Sequence, residues 1–337
     1  MSPAQIRGLL LEEAVLHLLR SAGYSPIYGR GADDTLEQEG NALFVKGRGE
    51  RHQIDAIADY RIQPPFSNPQ RLLVEAKFYD RQRVGLAVVR NAVGVLNDVS
   101  QFFIAPRTGS ARKLRFHYQY AVVSATRFSD RSQRYAYAHD VFLIPLGESM
   151  FFRELLDTIR IVAEGLSISS IVQDDDGFSS KLRGMIRAGL RQGDFGDEID
   201  QVEGINQQTA SLDTFLKSCL SMGFCLVAVT AGGFPLFLVP VRGLRLDELE
   251  GRIEVRIYRG EPGWVLETRQ RRRLFTFDVP FELLDLYSGS DELTPESALN
   301  MKEQEMHEIK AVITDGQSVR VIRFILDMPW LNAIRRD

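Results

Sequence analysis

Apolar residues recur along this chain with two periods, one of three to four positions and one of two. Ile6, Leu9, Leu10, Ala14 and Leu18 share a helical face that stops before Gly23, which predicts an amphipathic first helix over Ile6–Ala22. A polar, glycine-containing loop follows. Three runs of strand character come next: Asn41–Lys46, His52–Ile62 and, beyond the Pro64 to Pro69 cluster, Leu72–Phe78. Together they predict a three-stranded antiparallel meander. Leu86, Val89, Val93, Leu96 and Val99 place a helix within Val84–Phe103, followed by a β-branched strand at Tyr118–Ser124, a helix at Ser129–Ala138 and a strand at Val141–Pro145. This order, α-β-β-β-α-β-α-β, is that of a mixed sheet with helices packed on its faces.

Further along, Phe151–Glu164 is helical in pattern, whereas Gln173–Gly204 is polar, glycine-containing and acidic, with Asp174, Asp175, Asp176, Asp194, Asp197, Glu198 and Asp200. That stretch reads as a linker interrupted by a helix at Lys181–Leu190. A helix at Leu212–Met222 then precedes strand-like runs at Cys225–Thr230, Pro235–Val241, Ile253–Tyr258, Trp264–Glu267, Leu274–Val279 and Val319–Ile325. The predicted organisation is therefore an α/β domain over 1–150, a helical and acidic linker over 151–204, and a strand-rich α+β domain over 205–337.

The 337 residues have ordinary globular composition, 44% hydrophobic and 26% charged, and a net charge of -4. Divided, the charge is less even: residues 1–150 hold 19 Lys/Arg against 15 Asp/Glu, and residues 151–337 hold 22 against 30. The first part is thus +4 and the second -8, an asymmetry that fits a polyanion partner for the first part or simply a solvated basic face. Cys219 and Cys225, both in an apolar stretch, read as buried thiols. No apolar run reaches the roughly 18 residues of a membrane span, and Met1–Gly8 lacks a signal-peptide pattern, so a cytoplasmic protein that does not enter a membrane is expected.

Several chemistries have no carrier. The five histidines are scattered without zinc-ligand spacing, and neither a G-x-S-x-G elbow nor a Walker A loop occurs. The triplets Gly29–Gly31 and Gly47–Gly49 read as turns. The informative group is Asp55, in the run His52–Ala58, followed twenty residues later by Glu75-Ala76-Lys77. Alternation puts Glu75 and Lys77 on one face of an otherwise apolar strand, where two charges are costly unless used or paired. If the two runs form a hairpin, Asp55 lies beside Glu75. Paired carboxylates suit a hard divalent cation such as Mg²⁺, and Lys77 can then orient an attacking water and offset developing charge. An E-x-K triplet alone arises about once by chance in a chain this size. Its context gives it weight: an aspartate upstream on its own strand, apolar flanks and a long helix afterwards.

The ordered series of these segments resembles the PD-(D/E)xK nuclease superfamily, and within it the Mrr-like group related to type IV restriction endonucleases, over about residues 5–146. Leu11-Glu12, Leu18-Leu19 and Gly23-Tyr24 resemble the first helix; Gln53-Ile54-Asp55 resembles the metal-ligand strand, and Val74–Tyr79 the E-x-K strand. Val84-Gly85, Val89-Arg90 and Gly94 resemble the next helix, and Ala121–Ser124, Phe128–Ala138 and Val141–Pro145 the closing strand-helix-strand. Many Mrr-like proteins carry Gln at the first position of the triplet; this chain has Glu75. The resemblance implies a restriction-endonuclease-like fold and Mg²⁺- or Mn²⁺-dependent hydrolysis of phosphodiester bonds in DNA, leaving a 5′-phosphate. It also implies Asp55 and Glu75 as metal ligands, Lys77 as the water-positioning residue and Glu12 as an accessory acid, with Glu13 the fallback. Gln53 stands beside this site, either contacting water or phosphate or facing solvent. Asp59, on the same strand face as Asp55, is the substitute ligand.

Partner contacts follow the basic residues. Arg81, Arg83 and Arg90 come just after the triplet, and Arg107, Arg112, Lys113, Arg115, Arg127, Arg131 and Arg134 form a second set interleaved with Phe116, Tyr118 and Tyr120. Such a set grips phosphates without reading sequence, or is a solvated face. The C-terminal part resembles no family; specificity, sensing or assembly with a partner protein are its expected roles. Cutting both strands of a duplex favours a homodimer or higher homo-oligomer. The rivals are a catalytically silent nuclease-fold DNA-binding or scaffolding subunit, and an RNA- or structure-specific repair nuclease.

Overall fold

A computed structural model describes residues 1–102, 115–168, 175–193, 209–223, 225–261, 263–288, 293–315 and 318–336. It is an α/β structure of two units: Met1–Arg20 with Tyr24–Met222, and Ser21–Gly23 with Gly223–Asp337.

In the first unit, α1 (Pro3–Ser21) buries Ile6, Leu9, Leu10, Ala14 and Leu18 as its spacing predicts, and the chain reverses at Gly23, whose φ of 89° suits a residue without a Cβ. The expected polar loop contains two short strands, β1 (Tyr24–Pro26) and β2 (Leu36–Glu39). β3 (Ala42–Lys46) and β4 (Arg51–Ile54) follow, then β5 (Ala56–Tyr60) and β6 (Gln70–Lys77). The expected single strand His52–Ile62 is therefore divided at Asp55. β4 joins a sheet of order β2-β3-β4, while β5 joins a mixed sheet of order β1-β5-β6-β7-β8, completed by β7 (His117–Ser124) and β8 (Val141–Pro145). The three-stranded meander gives way to two sheets that share one continuous stretch of chain.

β1, β5 and β6 are antiparallel, whereas β6, β7 and β8 run parallel. The parallel connections are made by α2 (Leu86–Gln101), on the β6-to-β7 path, and α3 (Asp130–Ala138) between β7 and β8. Ser129 caps α3 by accepting the Ser132 N–H at 3.2 Å. Val89, Val93 and Val99 of α2 share one core with Leu73, Tyr120 and Val122 of the sheet. α4 (Arg153–Ile168), α5 (Asp175–Gln192) and α6 (Thr209–Met222) belong to this unit too. The boundary thus falls after Met222 rather than after residue 204, because α6, assigned from sequence to the second domain, packs on α4 and α5. Asp174, Asp194, Asp197, Glu198 and Asp200 of the expected linker lie outside the described residues.

Among the described residues, the second unit is built on a closed barrel of order β10-β13-β12-β11-β15-β14-β9. Its strands are β9 (Leu226–Thr230), β10 (Pro235–Pro240), β11 (Arg252–Arg259), β12 (Trp264–Thr268), β13 (Arg273–Phe277), β14 (Glu308–Asp315) and β15 (Ser318–Leu326). Alternate residues such as Leu236, Leu238, Val255, Ile257, Ile322 and Phe324 fill its core. α7 (Phe281–Ser288), α8 (Pro295–Glu305) and α9 (Met328–Ile334) lie outside the strand order. Within the arginine cluster 269–273, Arg269 is ion-paired to Glu254 and Asp327, and Arg272 to Glu248. Cys219 and Cys225 are buried free thiols. Among the described residues no helix is long and apolar enough to cross a membrane.

Candidate active site

β6 concentrates its charge at its carboxyl end. Leu72, Leu73 and Val74 are buried, while Glu75 and Lys77, two apart, share a face. β5 runs antiparallel with Ala56 opposite Val74, so Asp55, one residue earlier, stands opposite Glu75. The Ala76 N–H donates to Asp55 Oδ2 at 2.8 Å, Lys77 is ion-paired with Glu75 Oε1, and the buried Tyr120 hydroxyl donates to Glu75 Oε2 at 3.3 Å. α1 brings Glu12 to the same place, where its charge acts on Asp55. The structure therefore gathers Asp55, Glu75, Lys77 and Glu12. The site lies at the open end of the parallel strands, where α/β sheets commonly place ligands.

Electrostatics at this point are dominated by burial and by crowding of like charges. Burial first, then the charges of Glu12 and Glu75, push the Asp55 carboxyl up to about 7, against the opposing pull of the Ala76 N–H and Lys77. Burial also raises Glu12, with Glu13 and Glu75 adding to it and Arg183 working against it. For Lys77, burial opposes the charge but is outweighed by its hydrogen bond and ion pair with Glu75 and by Asp55, so the ammonium is held above its ordinary range.

A cavity of about 710 Å³ opens beside these carboxylates, and Glu12, Gln53 and Asp55 line one part of it, with Asn41, Arg183 and Arg187 facing them. Gln53 is exposed toward this space. The donors are all oxygen, as Mg²⁺ or Mn²⁺ require, and an Asp55 crowded by two further carboxylates is the kind of group that a divalent cation relieves. In that respect the residues fit such an ion. Among the described residues, however, no three His, Cys, Asp or Glu side chains form a ready metal-binding group. Glu75 is turned to Lys77, Glu12 to Arg183, and one Asp55 oxygen to the backbone.

Other expected residues fall elsewhere. Asp59, the substitute ligand, is taken by Arg71, its cross-strand partner: Arg71 Nε donates at 2.6 Å and Nη2 at 2.9 Å. Arg71 is 1% exposed, also binds Asp33 and Thr35, and lies 3.7 Å over the Phe116 ring. Glu13, the fallback acid, is 1% exposed and held by Arg183 and Arg187, a buried counter-ion rather than a site group. Tyr118 and Tyr120 are buried, so they offer no aromatic surface to bases. Arg115 precedes β7 at the Gln70 end of the sheet, the opposite end from Lys77. Arg107, Arg112 and Lys113 lie outside the described residues. Arg81, Arg83, Arg90, Arg127 and Arg131 are exposed; Arg83 pairs with Asp130, Arg127 with Glu148, and Arg90 stacks on Tyr135. Arg183 and Arg187 went unnoticed in sequence. Nothing local marks them, since they reach α1 from 170 or so residues downstream.

No protein-family model and no curated protein matches the chain. A solved structure described as "Crystal Structure of Protein of Unknown Function AF1548" is similar at 15% sequence identity and a TM-score of 0.35, over 63% of this chain and 98% of its own.

Proposed function

We propose that the chain is a metal-dependent endonuclease that hydrolyses phosphodiester bonds in DNA, in a restriction or defence role. The observation that carries this reading is the convergence of Asp55, Glu75 and Lys77, with Glu12, at the open end of a mixed sheet beside a cavity. Asp55 and Glu75 are the residues that would hold Mg²⁺ or Mn²⁺, which when bound supplies Lewis-acid polarisation of the phosphate. Lys77 orients the attacking water and offsets charge as the new P–O bond forms and the bond to the 3′ oxygen breaks, leaving a 5′-phosphate. Arg81, Arg83, Arg127 and Arg131 supply phosphate contacts that position the duplex. A homodimer supplies the second cut.

The test is plasmid cleavage with Mg²⁺ or Mn²⁺ by wild type, Asp55→Ala and Lys77→Ala. Each variant is expected to lose about 100- to 1000-fold in rate with its fold intact by circular dichroism. Equal rates in all three would sink the assignment. One observation favours the rival of a silent, DNA-binding subunit: each carboxylate already has a protein partner. DNA binding unaffected by EDTA, with no nicking of duplex, branched, methylated or single-stranded DNA or of RNA, would select that rival.

A further inference from the structure

Glu12 and Glu13 are adjacent on α1 but are neutralised unequally. Glu13, fully buried, receives both Nε and Nη2 of Arg187 at 2.7 Å, and Nη1 of Arg183 at 2.7 Å as well. Arg187 is further fixed by the Tyr28 ring, 4.5 Å from its guanidinium carbon. Glu12 has Arg183 Nη2. If Arg183 leaves, Glu13 keeps a bidentate partner, which is what a buried carboxylate needs, and Glu12 alone is uncovered. Arg187 is therefore the tie that Glu13 needs, whereas Arg183 is the one it can spare. Both stand on the wall of the cavity that Asp55 and Gln53 face, and a guanidinium there meets whatever enters.

We propose that Arg183 is a phosphate-binding residue of this site. It covers Glu12 in this structure, and moves to a backbone phosphodiester of the incoming polynucleotide, releasing Glu12 to the centre formed with Asp55 and Glu75. A carboxylate and a phosphodiester present the same pair of oxygens to a planar fork of N–H donors, so the exchange conserves hydrogen bonds. The outcome is coupling: the site gains its third carboxylate only when a phosphate backbone is in place. This rests on the nuclease reading for the identity of the substrate but not for the exchange itself.

The experiment uses the full chain without divalent ions, so that nothing is cut. Fluorescence anisotropy of a labelled DNA duplex is followed across a salt series for wild type, Arg183→Gln, Arg183→Lys and Arg187→Gln, and Mn²⁺ affinity is read by calorimetry without DNA. Arg183→Gln is expected to weaken DNA binding about 10-fold and to flatten the log–log salt slope by about 1. Arg183→Lys restores the slope and part of the affinity. Mn²⁺ binds Arg183→Gln more tightly than wild type, because Glu12 is no longer covered. Arg187→Gln lowers Tm and keeps the wild-type slope. Wild-type DNA affinity, slope and Mn²⁺ affinity in Arg183→Gln, with a lowered Tm, overturn the proposal and make Arg183 a second structural tie. A wild type that binds DNA but never cuts it removes the nuclease reading and leaves this exchange standing, whereas a wild type that binds no polynucleotide removes both.

Discussion

Two ionisable residues of the first unit are enclosed to opposite effect. Arg71 is enclosed, yet its guanidinium meets Asp59, Asp33, Thr35 and the face of Phe116, so nearly every donor is used. Arg71→Ala leaves two carboxylates side by side without a cation, and a loss of about 3 to 5 kcal/mol is expected by denaturant titration. A loss under 1 kcal/mol would show that the cluster relaxes into solvent. Asp55 is the reverse case, a carboxyl raised from 3.8 to about 7 by burial and by Glu12 and Glu75. Between about pH 4 and 7 the folded chain holds a proton that the unfolded chain releases, so stability is fully present below pH 4 and falls as pH rises through 7. Asp55→Asn removes that dependence and is expected to stabilise the metal-free protein by about 2 kcal/mol at pH 8, with little change at pH 4.5. Equal Tm differences at both pH values would refute the coupling. Asp55, Glu75 and Lys77 are legible in the sequence because strand alternation is local, whereas Glu12, on α1, entered only through the family resemblance. Arg183, Arg187 and Arg71 are not legible, because their roles arise from long-range packing.

Periodicity foretold the elements with a buried stripe long enough to repeat, among them α1, α2, β6 and β7 in the first unit and β10, β11 and β15 in the second. β1 and β2 escaped because three or four residues with one buried position carry no period. β14 did show alternation, with Ile309, Ala311 and Ile313 buried, and was not among the predicted strands. The break at Asp55 was missed although Asp is itself a poor strand former, because apolar residues resume directly after it. Its cause is tertiary: β4 is committed to β3, and β5 to β6 and β1. The β3–β4 turn is held from α2, where the Asp98 carboxylate accepts the Gly49 N–H at 2.9 Å and the Glu50 N–H at 3.2 Å, and contacts His52 Nε2 at 2.8 Å. A Cβ at Gly47 would stand 1.9 Å from Asp98 Oδ2 and 2.7 Å from the Glu50 carbonyl oxygen. Gly47→Ala is thus expected to cost about 2 kcal/mol by evicting Asp98 from the turn. Hydrogen exchange localises the effect: the Gly49 and Glu50 amides should lose protection before those of β6 do.

Dividing the chain where it packs changes its electrostatic reading. Residues 1–222 hold 26 Lys/Arg against 27 Asp/Glu and residues 223–337 hold 15 against 18, giving -1 and -3 in place of +4 and -8. The excess positive charge of residues 1–150 is offset by the acids of residues 151–222. Under the proposed function, polynucleotide binding would be local, through a few exposed arginines near the ends of β6 and β7. The wild-type salt slope is accordingly expected near -3 to -4, and a slope near -10 would contradict a local grip.

The barrel has one more consequence. Because β9 and β10 close it, its backbone N–H and C=O groups are spent on one another. Among the described residues the barrel offers no open strand edge to a neighbour, so it resists fibre-like stacking, and anything that assembles on it must do so through side chains. Edges survive in the first unit, and those of its larger sheet are blunted: β1 has three residues and ends in Pro26, and β8 ends in Pro145.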